Sequence, residues 1–114
     1  DAVDAWAAAS WENWRAELVR AVARGTLVLA HDDGGIAGVC AYGVNRAGWI
    51  GPVAVRPELI GRGAGVVPLL GALHKMRADG RTRAEIGWVG PIVPYAKIGA
   101  RVGRVFVVGR KLLR

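Results

Sequence analysis

Cys40 is the only cysteine in a chain of 114 residues, so an intrachain disulfide framework is excluded. No apolar run approaches the roughly 20 residues that a membrane-spanning helix needs. No basic segment followed by an apolar one marks a secretory signal either. These absences set the expectation of a cytoplasmic protein with no membrane partner. Acidic residues are also scarce, with 9 Asp and Glu against 16 Lys and Arg, a formal net charge of +7. Such an excess calls for an anionic ligand or a polyanionic partner. Zinc-finger spacing and RNP-like aromatic strands are both missing, and the basic residues are scattered along the chain, so nucleic acid is not the expected partner. His31 stands beside Asp32 and Asp33, but a turn needs those aspartates anyway, and no metal site is expected.

What is present fits one domain. The hydrophobic content of 53% and five tryptophans exclude a disordered chain. Residues 1–9 read as an N-terminal extension, either a helix turn or a linker, and 10–114 as the domain. Ser10 is placed to cap a helix over 11–24 with Trp11, Trp14, Leu18 and Val22 on its buried face, and Gly25 to end it. The two tryptophans are read as core packing. Thr26 to His31 and Ile36 to Val44 read as strands around an Asp-Asp-Gly-Gly turn, and Trp49 to Val55 as a third strand after Asn45-Arg46-Ala47-Gly48. A helix follows over about 65–78, with Pro68 tolerated in its first turn. Its buried stripe is expected to be Val66, Leu69, Leu70, Leu73 and Met76 or Arg77. A strand over 84–89, a short helix around Tyr95 to Ile98, and a last strand over 101–108 complete the order. The fold class expected is α/β in the three-layer α+β sense: a mixed, mostly antiparallel sheet with one β-α-β crossover.

The third strand runs into Arg56-Pro57-Glu58-Leu59-Ile60-Gly61-Arg62-Gly63-Ala64-Gly65, and an apolar helix opens there. Alternating glycines at a helix mouth let backbone N–H groups approach an anion, and the helix dipole favours negative charge at that end. A Walker A loop needs Gly-Lys-Ser/Thr, which the chain lacks. The dinucleotide fingerprint G-x-G-x-x-G fails in both frames, ending on Val66 or Pro68. A ligand-free strand–helix turn is the plain alternative.

From Val53 to Gly65 the chain resembles the pyrophosphate loop of the GNAT superfamily of acyl-CoA N-acyltransferases, with Gly63-Ala64-Gly65 as the Gly-x-Gly. Ile60 stands where that family has Gln or Arg. Tyr95-Ala96-Lys97-Ile98-Gly99-Ala100 matches the family's Tyr-x-x-x-Gly short helix, and the likeness spans roughly 25–108. The resemblance implies an N-acetyltransferase that moves an acetyl group from acetyl-CoA to a primary amine of a small molecule or protein. It implies cofactor contacts at Val53, Ala54, Val55, Ile60, Gly61, Arg62, Gly63, Ala64, Gly65 and Val66, largely through the main chain. Tyr95 is then the acid for the departing thiolate. The base is open: Glu85 is nearest by topology, but it is also placed to pair with Arg81 or Arg83, and a water on backbone carbonyls serves equally. The family's first strand and helix have no counterpart before Thr26, so a homodimer or a preceding segment is expected to complete the fold. A non-catalytic CoA-binding or dimerising module is the second reading, and a basic nucleic-acid-binding domain the third.

Overall fold

Strand β2 (Gly35–Tyr42) is the element against which everything else packs, because its apolar residues serve two faces at once. Val39 and Ala41 are fully buried in one cluster, and the alternate residues Cys40 and Tyr42 in another. The computed structural model describes residues 1–87, 93–105, 109 and 111. In it, β1 (Leu27–Asp32), β2 and β3 (Ile50–Val55) form an antiparallel sheet in the order β1-β2-β3. Leu27 pairs with Ala41 and Val39 with Ala54, and each ladder carries one register shift.

One face is covered by α1 (Ala2–Ser10) and α2 (Arg15–Arg24), joined by a 3-10 turn at Glu12–Trp14. Val3, Ala7, Leu18 and Ala21 meet Val39, Ala41, Val44 and Ala54 there. Residues 2–10 are thus built into the core and are not a linker: Asp1 caps α1 through the Asp4 N–H, and Arg15 grips Asp4 at 2.6 and 3.2 Å. Ser10 ends α1 and caps no helix. The expected face through Val22 is also corrected, since Val22 is 38% exposed and Ala21 is buried in its place. The 3-10 turn winds at 3.0 residues per turn rather than 3.6, so the phase set by Trp11 and Trp14 does not carry into α2. Gly25 ends α2 at φ 70°, as its position foretells.

The other face is covered by α3 (Val66–Ala78), which buries Pro68, Leu69, Ala72 and Met76. Leu70 is 41% exposed, contrary to the expected stripe. Small residues turn inward instead: a Cβ on Gly71 would stand 2.9 Å from Val28 Cγ1, so the helix lies very close to β1. After α3, Glu85 forms a parallel bridge to Trp49, closed by Ile50 N–H to Glu85 O at 2.8 Å and Glu85 N–H to Gly48 O at 2.9 Å. Among the described residues this single bridge is all that appears of the strand expected over 84–89, and residues 88 and 89 lie outside them. Residues 101–105 form no strand, and the rest of the last expected strand lies outside the described residues. The architecture is an α+β domain on a three-stranded antiparallel sheet, with α4 (Val93–Ala96) beyond the bridge. No described helix is long and apolar enough to cross a membrane.

Candidate functional site

The site begins with the orientation of β3. Arg56 donates its N–H to Ala37 O at 2.8 Å, so the alternation of an antiparallel ladder turns Ala54 toward β2 and the main-chain groups of Val53 and Val55 toward the opposite edge. That edge leads into a 3-10 turn, Pro57–Leu59, and then the loop 60–65. Within the loop, Arg62 N–H is bonded to Leu59 O at 3.0 Å and Val66 N–H to Gly63 O at 3.1 Å. Among the described residues, the N–H groups of Gly61, Gly63, Ala64 and Gly65 have no partner. They sit at the mouth of a helix of 13 residues. Unpaired donors and the positive end of the dipole together make a place for an anion.

The glycines serve different ends. Gly61 and Gly63 hold φ of 82° and 79°, where a side chain is strained, and the space beside each is open. Gly65 has an ordinary φ of −76°, but a Cβ there would lie 3.3 Å from Val55 Cγ1 and 3.4 Å from Val53 Cγ1. Gly65 therefore lets the loop settle on the side chains of β3, and Gly63 lets it turn. Val53, Val55 and Gly65 are thus in close packing, with the rest of 60–66 following in the chain. Ile60 is 60% exposed, so its side chain anchors nothing.

Two contributors escape the motif. Gly38 in β2 faces the loop: a Cβ there would stand 3.1 Å from Ala64 O and 3.3 Å from Val55 Cγ1. An isolated glycine inside a strand pattern is the signal that marks such close backbone approach. Trp11 is the other. Its indole N–H donates to Val55 O at 2.7 Å, so one outward group of the β3 edge is already held by the helical layer. Nothing local in the sequence signals that contact, which spans 44 residues.

Charge around the loop is largely committed. Arg56 reaches Asp32 Oδ1 at 2.9 Å and lies 2.8 Å from Glu58 Oε1, although that second approach lacks the angle of a hydrogen bond. The Arg56 guanidinium holds the Asp32 carboxyl below its usual range, and Asp32 also accepts Gly34 N–H at 2.8 Å. Asp32 thus serves the turn and Arg56. Arg62 is exposed and has no ion-pair partner among the described residues.

Tyr95 lies in α4, half-buried against the cluster of Cys40, Tyr42, Ile50, Leu69, Ala72 and Met76, which Val53 also joins. Burial first, and the neighbouring Cys40 second, push its phenol above the ordinary value. Ile98 and Ala100 N–H both bond to its carbonyl, and Gly99 follows at φ 94°, the expected glycine stop. Glu85 stands elsewhere. Its bridge to Trp49 sets it at the start of β3, while the loop follows the end, a strand length of roughly 20 Å away. Its carboxylate lies 3.4 Å from Arg83 and 3.6 Å from Arg104. Burial pushes the Cys40 thiol up to about 12, which keeps it a neutral packing group. Among the described residues, no three His, Cys, Asp or Glu side chains converge as metal ligands.

A groove of about 570 Å³ lies away from the loop. It lies at the far end of α3, between Leu73, Met76 and Arg77 on the helix and Gly80 to Ala84 beyond it. Shape and motif disagree here. The unpaired donors weigh more for an anion, because a pyrophosphate bound by backbone needs an exposed rim and not an enclosed cavity. Comparison with protein-family models, with curated proteins and with solved structures finds no match to this chain.

Proposed function

We propose that this protein is an acyl-CoA-dependent N-acyltransferase of the GNAT type, moving an acetyl group from acetyl-CoA to a primary amine by direct attack. One observation carries the reading. The outward edge of β3 leads through the 3-10 turn Pro57–Leu59 into a loop whose N–H groups at 61 and 63–65 are unpaired among the described residues, at the head of α3. Those donors suit a pyrophosphate, and the outward main-chain groups of Val53, with the Val55 N–H, suit an extended amide-bearing arm laid along the edge as an added strand. The Val55 carbonyl is available to that arm only when Trp11 releases it.

Acetyl-CoA supplies the thioester: the amine nitrogen adds to its carbonyl carbon, and the C–S bond breaks as the resulting oxyanion collapses. The chain has three tasks in that exchange. An outward N–H of β3 stabilises the oxyanion, where a fixed dipole acts without reorganisation. The Tyr95 hydroxyl gives its proton to the departing sulfur, and its raised pKa keeps it protonated through neutral pH. The amine must lose a proton, and β3 contains no acid to take it. Glu85 lies between two arginines at the far end of the strand, so desolvation of the amine and a water on backbone carbonyls are assigned that task. The same observation favours the second reading, a domain of this shape that binds CoA without turning it over.

Isothermal titration with acetyl-CoA tests the binding half. Micromolar affinity, about −8 kcal/mol, is expected for the wild type and is lost in Gly63→Val and Gly65→Asp. A Cβ at 63 strains the loop, and a carboxylate at 65 repels phosphate. Equal affinity in both variants would reduce the loop to a turn. Thiol release with a panel of amines tests the catalytic half: tight binding with no turnover selects the non-catalytic module.

A further inference from the structure

The arginines that are scattered in sequence converge in the fold on the end opposite the glycine loop. The segment 43–49 between β2 and β3 is the centre. Arg20 reaches Asn45 at 3.4 Å, and Arg24 donates to the carbonyls of Gly43 and Val44 at 3.2 and 3.0 Å. Arg46 lies over the Trp49 ring, 5.7 Å from its centroid. Arg81 Nη1 is 3.8 Å from where a Gly48 Cβ would stand. Arg83 and Arg104 flank Glu85, whose main chain bonds to Gly48 and Ile50. Against these six guanidiniums stand Glu85, Asp79, the residue that closes α3, and Glu17, one turn before Arg20 on α2, so six minus three still leaves positive charge in excess. The loop end is balanced differently, with Asp32, Asp33 and Glu58 around Arg56 and Arg62.

We propose that this arginine-rich end binds the phosphodiester backbone of a nucleic acid. The spread of the cations favours that partner over an acidic peptide, and three further features suit it. The cations come from α2, the 43–49 turn, the 80–84 segment and residue 104, so they spread over an end face, as a repeating row of phosphates requires. All six are arginines, whose planar forks match phosphate oxygens in pairs. Arg24 spends only Nη1 on neutral carbonyls, so its charge and its other donors remain. The half-buried Trp49 carries Arg46 over its ring and has Gly87 packed against it, so it holds Arg46 in the patch, and a groove of about 570 Å³ with Met76 and Ala84 on its wall continues the surface. The proposal does not depend on acyl-CoA binding, since the two surfaces lie a strand length apart.

The test is fluorescence anisotropy of mixed-sequence oligonucleotides of about 16 nucleotides, the upper range for one small domain, in single- and double-stranded form. Four to six phosphate contacts predict that affinity falls by about 10²–10³ between 50 and 200 mM salt. Arg46→Ala with Arg81→Ala should lower the salt slope by about 1.5, and Arg62→Ala at the other end should leave it unchanged. Circular dichroism of each variant confirms that the fold is kept, and Arg46→Lys with Arg81→Lys should restore most of the slope. The arm that binds more tightly tells whether single or paired strands are the target. Absence of salt-dependent binding overturns the proposal, as does an equal loss in Arg62→Ala. Equal or tighter binding to polyglutamate, or to vesicles of anionic lipid, also overturns it in favour of that partner.

Discussion

Substituting Gly38 by alanine should damage the loop although Gly38 lies in β2, outside it. The new Cβ would stand 3.1 Å from Ala64 O and 3.3 Å from Val55 Cγ1. The first neighbour is backbone, so relief requires the loop at 64–65 to rise by a few tenths of an ångström. Alanine also suits a strand better than glycine, a gain of at most about 1 kcal/mol. Overpacking a tight contact costs about 1–3 kcal/mol, and from the middle of that range the net expectation is a loss of about 1–2 kcal/mol. In a domain of this size that lowers Tm by roughly 4–10 °C. Urea melts give the stability, and titration with acetyl-CoA gives the loop geometry, which should weaken by about tenfold as the N–H groups lose their alignment. Repeating Gly38→Ala in a Val55→Ala background separates the two contacts. If Ala64 O limits, the penalty persists there; if Val55 limits, it disappears. A Gly38→Ala protein with wild-type stability and affinity would refute the claim that the loop rests on β2.

Three further outcomes follow from single contacts. Tyr95→Phe should lower kcat by about 10²–10³ and erase the alkaline limb of the rate profile while acetyl-CoA affinity holds; unchanged turnover returns Tyr95 to packing. Trp11→Phe keeps most of the ring but leaves Val55 O without its donor, and a stability loss of about 1 kcal/mol in urea is expected, with a loss near zero showing that solvent replaces the indole. For Cys40, burial raises the folded pKa to about 12 from a reference of 9.0, so its contribution is complete below the unfolded pKa and is lost as pH rises through that window. Stability should fall by about 1 kcal/mol from pH 8 to 10 on that account, and the fall should be absent in Cys40→Ala. A wild type and a Cys40→Ala variant with parallel pH curves would show that the thiol ionises as freely folded as unfolded.

The elements legible in the sequence were those set by local chemistry. Gly25 and Gly99 mark their stops because each holds a positive φ that other residues resist. The Asp32–Gly35 turn and the three-strand meander follow from turn residues between β-branched runs, and the start of α3 follows from the glycines before it and Pro68 in its first turn. Val53 to Gly65 stood out as a candidate loop for the same reason, since its strand, turn and helix are consecutive.

What only the tertiary structure decided depends on contacts between distant segments. Residues 2–10 have a weak pattern of their own and become a helix of the core because Val3 and Ala7 find β2 and α2. The buried face of α3 is chosen by how closely Gly71 and Ala72 approach the sheet, not by the largest side chains, so Leu70 is left out. Gly38 beneath the loop, Trp11 on the edge of β3 and Glu85 between two arginines are likewise products of packing. Charge shows the division most plainly. Composition alone established the excess of positive charge, but its gathering at one end arises because α2, the β2–β3 turn and the end of α3 all stop at the same edge of the sheet.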